Sequence, residues 1–80
     1  MRLSKDVTYL EPIKLEKICN FFDKVKRCES KIALCKEDVP TPVADLSSIV
    51  PFFLKLKEGD RFSIVAEGER ADQELSMIEF

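Results

Sequence analysis

Residues 57–69 read KEGDRFSIVAEGE and contain both glycines of the 80-residue chain, Gly59 and Gly68. Because glycine is so scarce, each is expected to mark a backbone position where a side chain would be costly. Between the glycines every second residue is apolar, at Phe62, Ile64 and Ala66, which is the period of a strand with one buried face. We therefore predict a strand held between two turns, with a face that another layer of the protein must cover.

The first third of the chain predicts a strand and a covering helix. Residues 4–10 include β-branched and aromatic side chains and end before Pro12, which predicts a first strand, Ser4–Leu10. Helical spacing begins at Leu15, because Lys14 would point to the apolar side. The predicted buried face of this helix carries Leu15, Ile18, Cys19, Phe22 and Val25.

The middle of the chain predicts a pair of strands joined by a charged turn. The second strand is predicted at Ser30–Cys35 and the return segment at Val39–Ala44. Proline has no N–H to donate to a strand ladder. The return segment contains Pro40 and Pro42, so it is predicted to lie at the edge of the sheet or to be irregular.

A short apolar helix is predicted after Asp45. Proline is tolerated in the first turn of a helix and is disruptive beyond it, so Pro51 predicts a late start. Ser47 or Ser48 is then favoured over Asp45 as the capping residue. A closing helix is predicted from about Arg70. Its apolar face is formed by Ala71, Leu75 and Ile78.

Taken in order, these elements are strand, helix, strand, strand, helix, strand and helix. Helices that cover one face of an antiparallel sheet define an α+β domain of two layers. A chain of 80 residues has room for a single domain, predicted to span residues 1–80.

Composition excludes several classes of function. Thirteen basic residues against fifteen acidic ones give a net charge of −2, which argues against a nucleic-acid partner. The longest apolar runs, such as Ile49–Leu54, are far too short to span a bilayer, and the N-terminus lacks the apolar core of a signal peptide. We expect a cytoplasmic protein with no membrane insertion.

The cysteines give no sign of a disulfide framework or a metal site. Cys19, Cys28 and Cys35 are odd in number and have no zinc-binding spacing, and the chain contains no histidine. We expect reduced, mostly buried thiols, no metal and no cofactor. A redox or metal-binding thiol is the alternative.

Residues 54–69 also resemble part of a known family. A basic turn ending in Gly59 and Asp60, an apolar strand ending in VAEGE at residues 65–69, and a following helix are similar to the last third of HPr. HPr is the histidine-containing phosphocarrier of the bacterial sugar phosphotransferase system. The resemblance is weaker elsewhere but extends over nearly the whole chain. It implies an HPr-like open-faced β-sandwich of order βαββαβα, in which helices cover one face of a four-stranded antiparallel sheet.

The resemblance implies a phosphate-accepting site that this chain does not reproduce. In HPr the pattern Gly-Leu-His-Thr-Arg-Pro follows the first strand, and the matching residues here, 14–19, read KLEKIC. Glu16 and Lys17 therefore occupy a degenerate phosphohistidine position, which lacks the imidazole that is nucleophilic near neutral pH. Three interpretations of Glu16 stay open: a carboxylate stabilised by the helix dipole, a fixed charge that imitates phosphohistidine, and an acceptor of an acyl phosphate.

The second helix carries the other residues that the resemblance singles out. Some HPr-like proteins are regulated by phosphorylation of a serine that starts this helix, which falls here on Ser47, with Ser48 beside it. A capping role alone is the alternative. The outer side of the helix is part of the HPr docking surface, and the matching positions include Ile49, Phe52 and Phe53. These residues are expected to bind a partner or to pack in a self-association interface or a deeper core.

The sequence thus predicts a bacterial HPr-like domain that is not an enzyme. The expected role is regulatory or adaptor, through protein–protein contacts with phosphotransferase-system enzymes or a transcriptional regulator. Two alternatives stay open: a phosphocarrier that uses a different acceptor, and a structural or self-associating module. We expect a monomer or a weak dimer.

Overall fold

The structure, a computed structural model, describes residues 1–78 and has the predicted order of strands and helices. The elements are β1 (Arg2–Thr8), α1 (Leu15–Lys26), β2 (Lys31–Lys36), β3 (Val39–Pro42), α2 (Leu46–Leu54), β4 (Arg61–Glu67) and α3 (Ala71–Met77). None of the helices in residues 1–78 combines the length and the apolar character needed to cross a bilayer.

The strands form one antiparallel sheet in the order β1-β4-β2-β3, so the strand predicted from the glycine-bounded stretch lies inside the sheet. Ile64 of β4 stands between Lys5 of β1 and Leu34 of β2. Because side chains alternate along a strand, the residues in this row share one face. The predicted α+β architecture with a four-stranded antiparallel sheet is confirmed.

The core lies between this face of the sheet and the helices. Phe62, Ile64 and Ala66 of β4 are all buried, as the two-residue period predicted. The largest fully buried side chains come from both layers: Phe21, Leu34, Ile49, Ile64 and Ile78. Their burial is the main stabilising contribution to the fold, because each removes a large apolar side chain from water.

The buried stripe of α1 differs from the predicted one at its first residue. Ile18, Phe21, Phe22 and Val25 are buried, whereas Leu15 is 63% exposed. These four follow the i, i+3, i+4, i+7 spacing of one helix face. Leu15 fits the same spacing but stands at the first residue of the helix, so its predicted burial was wrong. Cys19, which was also predicted on this face, is half-buried, and Phe21, which the prediction did not include, is fully buried.

The strand ends differ slightly from their predicted positions. The first strand begins and ends two residues earlier than the predicted Ser4–Leu10, and the third ends at Pro42. The predicted edge position of β3 is confirmed. The N–H of Val43 donates to the carbonyl oxygen of Ile32 at 3.1 Å, so odd-numbered residues of this segment face β2. The backbone nitrogens of Pro40 and Pro42 therefore point away from β2, where no N–H is needed.

Both glycines occupy backbone positions that a side chain would disturb. Gly59 has a φ of 92°, which L-residues rarely adopt. At Gly68 a Cβ would lie 2.9 Å from Ser30 Oγ and 3.1 Å from Ser30 Cα. Gly68 is therefore required by the close approach of the residue that precedes β2.

A buried carboxylate fixes α3 to this same segment before β2. Glu74 is 9% exposed, and its side chain accepts hydrogen bonds from the N–H of Glu29 at 2.6 Å and the N–H of Ser30 at 2.9 Å. The Ser30 hydroxyl also donates to it. This hydroxyl bond, followed by the two backbone bonds, lowers the pKa of Glu74 although burial acts in the opposite direction.

Glu74→Gln is expected to lower the melting temperature at neutral pH, because the amide turns an NH2 group toward one of these donors. The pKa of Glu74 is lowered in the folded protein, so its stabilisation is fully present above the ordinary glutamate pKa of about 4.3. This stabilisation is lost as the pH falls through the lowered pKa that Glu74 has in the folded protein. Thermal unfolding followed by circular dichroism should therefore show the difference from wild type shrinking below about pH 4.

Glu69→Gln is the matched control, since Glu69 is an exposed glutamate just before the same helix. It should leave both the melting temperature and its pH dependence nearly unchanged. A difference for Glu74→Gln that stays constant across the acid range would contradict the role assigned to the carboxylate.

Candidate functional site

The loop between β1 and α1 is anchored by Tyr9. Its N–H donates to the carbonyl oxygen of Asp60 at 2.7 Å, and its own carbonyl oxygen accepts the N–H of Gly59 at 2.7 Å. Its phenolic oxygen accepts the N–H of Ile13 at 3.2 Å. Tyr9 thus ties both ends of the loop to the turn that precedes β4, and fixes the position of the first turn of α1.

The N-terminus of α1 presents charged side chains to solvent. Lys14 is the N-cap residue, with an extended backbone and no side-chain capping bond. Its carbonyl oxygen accepts the N–H groups of Lys17 at 2.9 Å and Ile18 at 3.2 Å. The helix therefore begins after Lys14, as predicted. Glu16 is its second residue, and the side chains of Glu16 and Lys17 are both exposed.

The first turn of α1 borders a groove on the protein surface. Lys17 lines a shallow groove, together with Glu11 and residues 7–10 and 12–13. Within residues 1–78 no three Cys, Asp or Glu side chains lie close enough together to hold a metal ion. A carboxylate that attacks a phosphoryl group usually works beside such an ion, which neutralises the charge of the transferred group. Glu16 stands here as an exposed charge.

Two apolar side chains near this site are exposed although the sequence did not predict them at the surface. Leu10, within the loop that Tyr9 anchors, is 67% exposed, and Leu15, the first residue of α1, is 63% exposed. Leu10 was placed inside the first strand and Leu15 on the buried face of α1. Both predictions rested on local spacing, which does not show where a strand ends or where a helix passes beyond the layer that it covers.

The N-terminus of α2 is capped by Asp45, so the preference for Ser47 or Ser48 was wrong. The Asp45 carboxylate accepts the N–H of Ser48 at 2.9 Å, and the N–H of Asp45 donates back to Ser48 Oγ at 3.4 Å. These reciprocal bonds form a capping box. The Ser47 hydroxyl donates to the same carboxylate at 2.7 Å.

The prediction failed because Pro51 was given too much weight. The proline lies inside α2, which runs over Leu46–Leu54. Its missing N–H removes one bond to the carbonyl oxygen of Ser47. Because Ser47 is exposed, water can satisfy that oxygen, and the reciprocal bonds at Asp45 still set the start of the helix.

The charge at this cap bears on the candidate phosphorylation site. The Ser47 hydroxyl bond is the main cause that lowers the pKa of Asp45, and the backbone bond from Ser48 adds to it. Asp45 is therefore ionised at neutral pH. A phosphate on Ser47 would bring a second anion against this carboxylate and remove the hydroxyl proton that it accepts.

The predicted docking residues of α2 divide between the core and the surface. Ile49 is fully buried and Phe53 is 3% exposed, so of the roles left open for these two residues the structure favours packing in the core over an outer docking surface. Phe52 is half-buried, with its ring centroid 5.6 Å from that of Phe53 and 5.6 Å from that of Phe62. Leu54, which was not singled out, is 77% exposed. A helix that is apolar nearly all round gives no sequence signal for the face that it buries.

The cysteines are unpaired and half-buried, which makes them more exposed than predicted. Cys28 donates its thiol hydrogen to the carbonyl oxygen of Lys24 at 3.3 Å. Burial is the main cause that raises the pKa of Cys28, and the nearby Glu74 carboxylate raises it further. The thiol form, which is the unreactive one, is therefore favoured at this position.

Asp45→Ala is expected to lower the melting temperature by several degrees, because it removes the acceptor of two hydrogen bonds at the start of α2. Ser47→Ala should have a smaller effect, since Ser47 only donates to that carboxylate. Differential scanning fluorimetry compares the two variants with wild type. Asp23→Ala, at an exposed position of α1, is the control. Equal effects of Asp45→Ala and Asp23→Ala would contradict the capping role.

Comparisons with known proteins identify the fold. No protein-family model matches the chain, and no curated protein matches it either. Among solved structures, phosphocarrier protein HPr from Bacillus anthracis is similar with a TM-score of 0.77 and 18% identity, over 96% of this chain and 92% of that one. The histidine-containing phosphocarrier protein of a Mycoplasma gives a TM-score of 0.75 and 17% identity, over 98% of this chain and 86% of that one.

A third solved structure shares the same arrangement. HPr-C-His from Thermoanaerobacter tengcongensis is similar with a TM-score of 0.71 and 13% identity, over 95% of this chain and 83% of that one. At such identities the likeness concerns the fold alone. The chain therefore has the fold of the HPr phosphocarriers over almost its whole length, as the resemblance of residues 54–69 predicted.

Proposed function

We propose that this chain is an HPr-like protein that acts by contact with other proteins and does not carry phosphate on a histidine. The observation that supports the proposal is the combination of the HPr fold with a sequence that contains no histidine at all. Whichever residue of the first turn of α1 is matched to the phosphate-accepting histidine, no imidazole can stand there. The proposal therefore does not depend on the alignment around Glu16.

The side chains at the start of α1 do not replace an imidazole chemically. A lysine such as Lys14 presents an ammonium group in neutral water, whose nitrogen has no free electron pair for attack on phosphorus. A carboxylate such as Glu16 is a weak nucleophile, and the anhydride that it would form usually requires a metal ion nearby. A phosphocarrier that uses Glu16 or Cys19 remains the alternative function.

We infer that Glu16 supplies a standing negative charge where a phosphorylated histidine would carry one. The carboxylate is exposed and lies in the first turn of α1, where the positive end of the helix dipole stabilises an anion. With such a charge, the chain would always present to a partner the surface that resembles the phosphorylated form. The partners that fit are enzymes of the phosphotransferase system or a transcriptional regulator that reads an HPr-like surface.

The observed exposure of the α2 side chains changes which residues can form these contacts. Ile49 and Phe53 are buried, so the apolar contribution from this helix comes from Leu54 and from the exposed part of Phe52. Leu10 and Leu15 add exposed apolar area beside Glu16. Apolar side chains surrounded by charged groups are typical of protein-binding surfaces.

Regulation at Ser47 or Ser48 remains part of the proposal. Ser47 is exposed, while Ser48 is half-buried and donates its hydroxyl hydrogen to the carbonyl oxygen of Asp45 at 2.7 Å. Ser47 is thus the more accessible of the two to a kinase. Because a phosphate there would repel the Asp45 carboxylate, we expect phosphorylation to weaken the start of α2. Labelling by an HPr serine kinase that is abolished by Ser47→Ala would support this site.

Incubation with the first enzyme of a phosphotransferase system and labelled phosphoenolpyruvate should leave the chain unlabelled, because it has no acceptor imidazole. HPr in the same reaction is the positive control. Lys14→His and Glu16→His test whether the surface still fits that enzyme, since label on either variant would show that docking is retained. Label on the wild-type chain, at Glu16 or Cys19, would overturn the proposal in favour of the alternative acceptor.

The contact function has its own measurement. An excess of the chain should slow the labelling of HPr by competing for the same enzyme, and Leu15→Ser or Glu16→Gln should relieve that inhibition by about tenfold if these residues are central to the contact. Asp23→Asn, on an exposed part of α1 away from the first turn, should inhibit as wild type does. Failure of the wild-type chain to inhibit would exclude this enzyme as the partner.

A further inference from the structure

The outer edge of β1 leaves backbone groups unpaired within residues 1–78. Gly68 N–H donates to the carbonyl oxygen of Met1 at 2.8 Å, and Tyr9 N–H donates to that of Asp60 at 2.7 Å, so odd-numbered residues of this segment face β4. Backbone groups alternate along a strand. The N–H and C=O groups of Arg2, Ser4 and Asp6 therefore point away from the sheet, and they have no backbone partner among residues 1–78.

The opposite edge of the sheet is closed in the way that edges usually are. Pro40 and Pro42 remove the outward N–H groups of β3. β1 has seven residues and contains neither proline nor glycine. In the part of the chain that the structure describes, the edge of β1 is therefore the one that can accept another strand along its length.

We propose that two copies of this chain pair through β1, antiparallel, with the two-fold axis at Ser4. The inference is independent of the proposed function. Residues that stand opposite each other in antiparallel strands point their side chains to the same face of the sheet. Because side chains alternate along β1, two opposite residues must both have even numbers or both have odd numbers, so the axis lies at a residue. The possible centres within the middle of the strand are Leu3, Ser4, Lys5 and Asp6.

Charge selects among these centres. A centre at Lys5 places two lysines opposite each other, and a centre at Asp6 places two aspartates opposite each other, which like-charge repulsion disfavours. The Ser4 centre places Arg2 of each copy opposite Asp6 of the other. A centre at Leu3 brings no opposite charges together and pairs fewer outward backbone groups.

The Ser4 register also satisfies the backbone. Ser4 pairs with Ser4, and each Arg2 pairs with an Asp6, so every pair exchanges two N–H to C=O hydrogen bonds. Arg2 and Asp6 are both exposed, and their side chains lie on the sheet face that the helices leave uncovered. Asp6 already accepts the Ser63 hydroxyl at 2.7 Å, which orients its carboxylate within that face.

Lys5 rejects the competing register without blocking the proposed one. An inward-facing charge on an edge strand is a common defence against pairing. The Lys5 ammonium group donates to the carbonyl oxygen of Ile78 at 2.9 Å, which holds it over the end of α3. With Ser4 at the centre, Lys5 stands opposite Leu3 of the second copy. The 37% exposed Leu3 side chain then packs against the aliphatic stem of Lys5.

Charge reversal tests both the interface and its register. Arg2→Asp alone places two carboxylates opposite each other in each pair, and Asp6→Lys alone places two cations there, so each variant should dimerise about tenfold more weakly than wild type. In an equimolar mixture of the two single variants, the heterodimer contains one wild-type pair of Arg2 and Asp6. In its other pair the new aspartate at position 2 of one copy stands opposite the new lysine at position 6 of the other, so mixing should restore dimerisation.

The double variant Arg2→Asp/Asp6→Lys provides a second rescue. With Ser4 at the centre it restores opposite charges in both pairs of its homodimer. Sedimentation velocity from micromolar to millimolar concentration should therefore show the double variant dimerising with wild-type affinity. A wild-type monomer at every concentration, or a double variant no better than the single ones, overturns the proposal.

Proline substitution tests the backbone bonds. Ser4→Pro removes N–H groups at the centre of the interface and none from the β1–β4 ladder, so the dimer should be lost while the monomer keeps its fold. Thr8→Pro is the matched control, because its N–H also points outward but lies beyond the pairs that reach from Arg2 to Asp6. Equal loss with Thr8→Pro would overturn the Ser4 register. If Ser4→Pro fails to fold, the charge-reversal double variant still decides the question.

Discussion

One buried sheet face determines the rest of this structure. β4 lies between β1 and β2 and carries Phe62, Ile64 and Ala66 toward the helices, so the helices that cover this face must present apolar groups to it. α1 meets that requirement with Ile18, Phe21, Phe22 and Val25. The two glycines that flank β4 permit the sharp turns that return the chain to this layer, Gly59 by its backbone conformation and Gly68 by leaving room for Ser30.

The sequence carried enough information for the fold because its strongest signals are local and mutually consistent. Two-residue alternation identified β4, and paired prolines identified an edge strand. The sequence did not show how each helix is rotated about its own axis relative to the sheet. Helical spacing did not distinguish an exposed Leu15 from a buried Phe21, and an apolar α2 did not show that Ile49 and Phe53 face inward. The role of Glu74 had no local signal at all, because its partner Glu29 is 45 residues away in the chain.

The candidate site was less predictable than the fold for a related reason. A cap depends on which backbone N–H groups are free, so Asp45 could be preferred over Ser47 only when the first turn of α2 was defined in space. The same applies to Tyr9, whose three hydrogen bonds hold the loop before α1 but join residues that no pattern connects. A fold shared with phosphocarriers does not by itself assign chemistry, which must come from the side chains present.

The exposed side chains at the start of α1 take no part in the apolar packing that stabilises this fold. Lys14, Glu16 and Lys17 are exposed and contribute no apolar area to the core that β4 organises. Because the stability of the fold comes from buried apolar contacts, a substitution at the start of α1 leaves that stability nearly untouched. The fold therefore does not require a particular side chain at this position. The chemistry of a chain with this fold depends on the residues that stand there, which the fold alone does not determine.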